Sequence, residues 1–130
     1  MTIRDLKTNV DASPSLAPAV RNATATGSAI DLRGFDAASV IVHFGAYTDG
    51  THTPSLEAST DGVSYAAVAA GDMAGSFAAV ASGAGANTVQ QVGYIGTGRY
   101  LRPKLTVAGA TTGAATAIAV LRGRGARQGV

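Results

Sequence analysis

"GYIGTGRYLRPKLTVAG", residues 93–109, decides how the rest of the chain is read. Strand alternation puts Leu101, Pro103, Leu105 and Val107 on one side and Tyr100, Arg102 and Lys104 on the other. The first side is a core face. The second is basic and aromatic, an unusual composition for an idle surface, so it is the first candidate for contact with a partner. Pro103 has no backbone N–H to give to a sheet, which predicts an edge position or a bulge there.

Working outward, other segments carry the same period of two. In "SVIVHFGAY" (39–47), Val40, Val42 and Phe44 share a face and Ile41 and His43 lie opposite. Apolar residues on both sides predict a central strand covered on both faces. "SLEASTDGVSYAAV" (55–68) reads as a hairpin turning at Asp61-Gly62. "NTVQQVGYIG" (87–96) alternates only if the chain slips near Gln90-Gln91, so a bulge is expected. "AATAIAVLRG" (114–123) is a further strand, with weaker ones at 18–24 and 28–35. Residues 47–54 read as a loop, and 69–86, rich in Ala and Gly, show no period. About eight short strands, with no competing helical pattern, predict an all-β fold: an antiparallel β-sandwich or barrel. Its domain spans 19–123, preceded by an extended, proline-containing N-terminal arm (1–18) and followed by a basic C-terminal tail (124–130).

Composition agrees with one such domain in 130 residues. Cysteine is absent, which removes disulfides and thiolate metal sites. No secretory signal is read at the start, and the apolar runs are broken by Thr and Gly before they reach membrane-spanning length. Cytoplasmic synthesis without membrane attachment is the expectation. Net charge is only +2, but Arg99, Arg102, Lys104, Arg122, Arg124 and Arg127 fill the C-terminal third and no acid follows Asp72. That asymmetry predicts a negatively charged partner surface.

Residues with catalytic potential fit structural roles better. His43, Asp49 and His52 could approach one another, but they lack the further ligand a zinc site needs; one packed strand histidine, His43, and one exposed loop histidine, His52, is the simpler reading. Ser59 and Asp61 near His52 sit where a hairpin turn wants small polar residues, not on the strained turn of a nucleophile. Gly93, Gly96 and Gly98 precede a strand, whereas a phosphate loop must open a helix. One "RGRGAR" segment (122–127) supplies too little charge to hold nucleic acid at physiological salt. No catalytic residue, metal or cofactor is expected.

Five elements together carry a resemblance across Asp31–Gly123: "DLRGF" (31–35), "VIVHFGAYTDGTHT" (40–53), "LEASTDG" (56–62), "GYIGTGRYLR" (93–102) and "VLRG" (120–123). This set resembles small β-rich head proteins encoded beside the major capsid gene of tailed bacteriophages. Pro103 departs from that pattern, which has a β-branched residue there. The resemblance implies a structural virion component: a capsid decoration or cement protein, forming a homotrimer on the outer head surface and bound to the major capsid protein. Tyr100, Arg102, Lys104, Arg122 and Arg124 are the expected assembly interface. A head–tail connector or tail component, or a carbohydrate- or surface-binding module, are the alternative roles.

Overall fold

A computed structural model describes residues 5–123. One turn of helix, α1 (Leu6–Asn9), is capped by Asp5, whose carboxylate accepts the Thr8 N–H at 3.0 Å. Ten strands follow: β1 (Val10–Arg21), β2 (Ala25–Thr26), β3 (Ile30–Asp31), β4 (Ala37–Tyr47), β5 (Thr51–Ser59), β6 (Ala66–Ala67), β7 (Met73–Ala74), β8 (Thr88–Tyr94), β9 (Tyr100–Ala108) and β10 (Ala114–Gly123). They form two antiparallel sheets, one ordered β1-β10-β4-β8-β7, the other β2-β9-β5-β6 with β3 also on β9. The fold is therefore an open sandwich, not a closed barrel.

The core is set by alternation. Val40, Val42 and Phe44 of β4 and Ile118 and Val120 of β10 turn inward from the first sheet. Leu101 and Leu105 of β9 and Leu56 of β5 turn inward from the second, all within one apolar cluster. Leu101, Leu105, Val40, Val42 and Phe44 are fully buried.

Both lateral openings of the sandwich are laced shut. On one side, the Ser15 hydroxyl donates to the Ser28 carbonyl while the Ser28 N–H donates to the Ser15 carbonyl, each at 2.9 Å, tying β1 to the β2–β3 connection. On the other, the segment between β6 and β8 crosses from sheet to sheet. His52 and Val80 exchange two backbone hydrogen bonds of 2.8 Å, and the Gln90 amide exchanges two more of 2.8 Å with the backbone of Ala78. The Ala/Gly-rich stretch is thus a strap carrying Val68, Phe77 and Val80 against the core.

Four expectations change. Residues 10–18 are not an arm; they belong to β1, a 12-residue edge strand paired along β10. An edge strand needs ladder partners on one side only, so Pro14 and Pro18 are tolerated, and two register shifts at Pro14/Leu16 and Leu16/Ala19 hid the alternation. Pro103 lies in a central strand. Its carbonyl accepts the Gly27 N–H at 2.8 Å, so its nitrogen also faces Gly27, just past the end of β2 and before β3 begins. The one bond the proline cannot make, the reciprocal one to Gly27, thus falls where the ladder is interrupted. β8 pairs with β4 in unbroken register from Tyr94 to Thr88, without the expected bulge: Gln90 points inward because the backbone of Ala78 satisfies it. The loop over 47–54 shrinks to three residues, since β5 begins at Thr51.

Because Leu105 is fully enclosed, Leu105→Ala should lower unfolding free energy by about 2–4 kcal/mol in urea titrations. Lys104→Ala, one residue away on the outer face, should change it by less than about 0.5 kcal/mol. Equal losses would contradict the assignment of faces.

Candidate functional site

The outer face of the second sheet is built by β9 and β5 in register: Tyr100 opposite Ser59, Arg102 opposite Glu57, Lys104 opposite Ser55. Arg102 donates from Nε and Nη2 to Glu57 Oε1 at 3.0 and 2.8 Å, and its guanidinium lies 3.9 Å from the ring centroid of Tyr65. A planar cation held between a carboxylate and an aromatic ring has few rotamers left. Arg99 repeats the device at the strand's start, with two 2.9 Å bonds to Asp31 and its guanidinium 4.9 Å from the Tyr100 ring centroid. Lys104, half-buried, makes no ion pair among the described residues. The face thus offers two rigid aromatic–cation clamps and one cation available to an incoming group.

The other expected interface residues lie elsewhere. Arg122 is an internal tie: it donates to the Asp31 carbonyl at 2.8 Å, to the Ser13 hydroxyl at 3.1 Å and to the Asp11 carboxylate, and it covers the Phe35 ring at 4.5 Å. This joins the end of β10 to β1 and β3, so Arg122 is held in internal contacts and not offered outward as Lys104 is. Arg124 lies outside the described residues.

The histidines exchange the roles expected of them. His43 is exposed on the outer face of the first sheet, while His52 is fully buried in the core. His52 Nε2–H donates to the Asp49 carbonyl at 2.9 Å, and its ring meets Phe44 and Tyr47 edge-on at 6.4 and 6.1 Å. The two imidazoles stand on opposite sides of a sheet and cannot share an ion. The Asp49 carboxylate instead collects the N–H groups of Thr111, Thr112 and Gly113 at 3.1, 3.1 and 2.7 Å, and these bonds, Gly113's foremost, hold its pKa below the ordinary range. "TDGTH" is the crossover between sheets, pinned to the β9–β10 turn.

Ser59 and Asp61 are likewise turn chemistry. The Ser59 hydroxyl donates to Asp61 Oδ1 at 2.9 Å and accepts the Gly62 N–H at 2.9 Å. Bonds from the Ser64 and Val63 N–H groups, with that hydroxyl, depress the Asp61 pKa to about 2. In "GYIGTG" the Tyr94 hydroxyl fills the loop, accepting the Gly98 N–H at 2.7 Å, and a Cβ at Gly96 or Gly98 would strike that oxygen. The glycines are thus required by the Tyr94 side chain packed against them, and they lead into a strand, not a helix. Sequence reasoning missed Glu57, Tyr65 and Arg99 as parts of the β9 face; the signal for Glu57 was its outward position one strand over, which only the β5–β9 register reveals.

No protein-family profile matches the chain, and no curated protein does. Among the described residues no helix is long and apolar enough to cross a membrane, and no three His, Asp or Glu residues gather as a metal site.

Asp31 and Asp61 are both held below the ordinary carboxyl range, Asp31 chiefly by the Arg99 guanidinium and then by the Arg33 N–H. Folding therefore favours their ionised forms. The stability they contribute is present above an unfolded pKa of about 3.9 and is lost as pH falls towards the folded values. The urea midpoint should decline from about pH 4 to about pH 2, and an Asp31→Asn/Asp61→Asn double variant should show a shallower decline. Parallel curves would contradict these assignments.

Proposed function

We propose that this protein is a structural component of a tailed-phage head, a decoration or cement protein that binds the major capsid protein on the outer surface of the shell. The observation that carries this reading is the clamped face on β9 and β5. Tyr65, Tyr100, Arg99 and Arg102 are held rigid by Asp31 and Glu57, and Lys104 is left to pair outward. A preorganised aromatic–cation face on a β scaffold loses little side-chain entropy on docking. Its residual positive charge suits an acidic partner surface and would set register on it. The resemblance over 31–123 supplies the partner. A cement protein works by covering the joints between shell subunits many times over, so modest contacts multiplied by copy number suffice.

The account assigns capsid binding first to Lys104. Lys104→Glu should keep the wild-type fold and melting temperature and should abolish co-sedimentation with heads lacking the protein. Arg102→Glu adds internal repulsion, because the new carboxylate faces Glu57. Wild-type binding should weaken between 0.05 and about 0.5 M NaCl, as exposed pairs are screened. Normal decoration by Lys104→Glu would remove this face from the reading. Quantifying the protein in purified virions tests the role itself: hundreds of copies per particle support decoration, six or twelve indicate a connector, and none overturns a head role.

A further inference from the structure

The opposite surface of the sandwich has a different character. Strand β4 carries apolar residues on both sides, a pattern that belongs to a sheet covered on both faces. Among the described residues only its Val40–Val42–Phe44 side is covered; Ile41 and His43 look outward from the first sheet. Ala115, Ala117, Ala119 and Leu121 stand beside them on β10, Val89 on β8 and Ala12 on β1. Val89 is 59% exposed. Among the described residues, the outward positions of these four strands hold no Asp, Glu, Lys or Arg, and His43 is their one titratable group. A shallow cleft of about 320 Å³ beside Ala117 continues this surface, and one of about 300 Å³ beside Leu121 ends it, bordered by Arg122, which is tied inward to Asp11 and Asp31. The second sheet's outer face, by contrast, carries Glu57, Arg102 and Lys104.

We propose that the outer face of the first sheet is a self-association surface on which a second copy of this chain packs, sheet against sheet, around a two-fold axis.

Two arguments select a second copy. The first is charge. A two-fold contact sets a patch against itself, so side chains near the axis meet their own images. Like charges would then face one another, and a surface with no formal charge avoids that penalty. The second is area. Four strands about 4.8 Å apart and about 25 Å long cover roughly 500 Å² per copy, hence about 1,000 Å² for a pair. That reaches the lower bound for a specific interface. The alanine row on β10 lets two sheets approach to about 10 Å, with Ile41, Leu121 and Val89 filling the space around it. A self-paired patch closes at two copies, so this contact makes a dimer where the resemblance implies a trimer.

Sedimentation velocity and light scattering on the full chain decide the matter. The wild type should run at twice its 12.8 kDa mass, equally in about 0.15 M and about 1 M NaCl, because no exposed ion pairs hold the contact. Ile41→Lys and Val89→Glu should each raise the dimer dissociation constant at least about 100-fold by placing unpaired charge in the interface. Their circular dichroism should stay wild-type, and Val89→Glu, at a largely exposed position, keeps the test valid if Ile41→Lys fails to fold. Lys104→Glu, on the far sheet, should leave the dimer intact, which separates this contact from capsid binding. A monomer at about 100 µM, a trimer, or a dimer indifferent to both substitutions would overturn the proposal. So would a monomer whose first-sheet amides gain exchange protection only on capsids, since the face would then belong to the shell.

Discussion

Everything in this molecule depends on the register of β9 in the second sheet. With Leu105 opposite Pro54 and Arg102 opposite Glu57, the strand gives Leu101, Pro103 and Leu105 to the core and Tyr100, Arg102 and Lys104 to the surface. A slip of one residue would bury two cations and expose two leucines, so the hydrophobic effect and the cost of burying charge both hold the register. Glu57 adds a local lock, since its bonds to Arg102 form only in this alignment. The Pro103 carbonyl adds another by receiving Gly27.

The short motifs along the chain are mostly halves of one another's contacts. Asp31 of "DLRGF" holds Arg99 of "GYIGTGRYLR", and Phe35 lies beneath Arg122 of "VLRG". Asp49 of "TDGTH" pins the turn before β10, and Glu57 of "LEASTDG" clamps Arg102. Acids and bases that suggest chemistry when read in isolation are used here to fasten neighbouring strands and the loops between the sheets. The distances in sequence, from 45 residues for Glu57–Arg102 to 68 for Asp31–Arg99, show why the pairing is invisible until the sheets are assembled.

The all-β class, the β9 faces and the central β4 were legible because their alternation is strong and their turns are marked by Gly and Asp. The β1 edge was not, because two prolines and two register shifts erase its period. His52 was misplaced for a related reason. The sequence around it looks like a loop, yet the crossover takes only three residues, and the ring enters the core with one nitrogen satisfied by the Asp49 carbonyl. For β4, the apolar pattern on both sides was read correctly while its cover was not: among the described residues no second layer lies over Ile41 and His43. The basic cluster of the C-terminal third was legible only as composition. Among the described residues folding divides it into arginines clamped at and beside β9, an internal tie at Arg122 and one lysine, at 104, left without an ion pair.

On the two proposals made above, the outer faces would serve different contacts: a charged face held rigid for an acidic partner, and a neutral face for a second copy. Both readings stand on the β9 register, and the absence of native cysteine makes that register directly testable. A Ser55→Cys/Lys104→Cys double variant places two thiols on register partners of the outer face, within the Cα separation of about 5.5 Å that antiparallel pairs and disulfides share. Mild oxidation should link this pair fully within one chain and leave a Ser55→Cys/Arg102→Cys variant mostly reduced. A 55/104 pair that stays reduced while 55/102 closes would contradict the register, and with it the Glu57–Arg102 clamp on which the partner face rests.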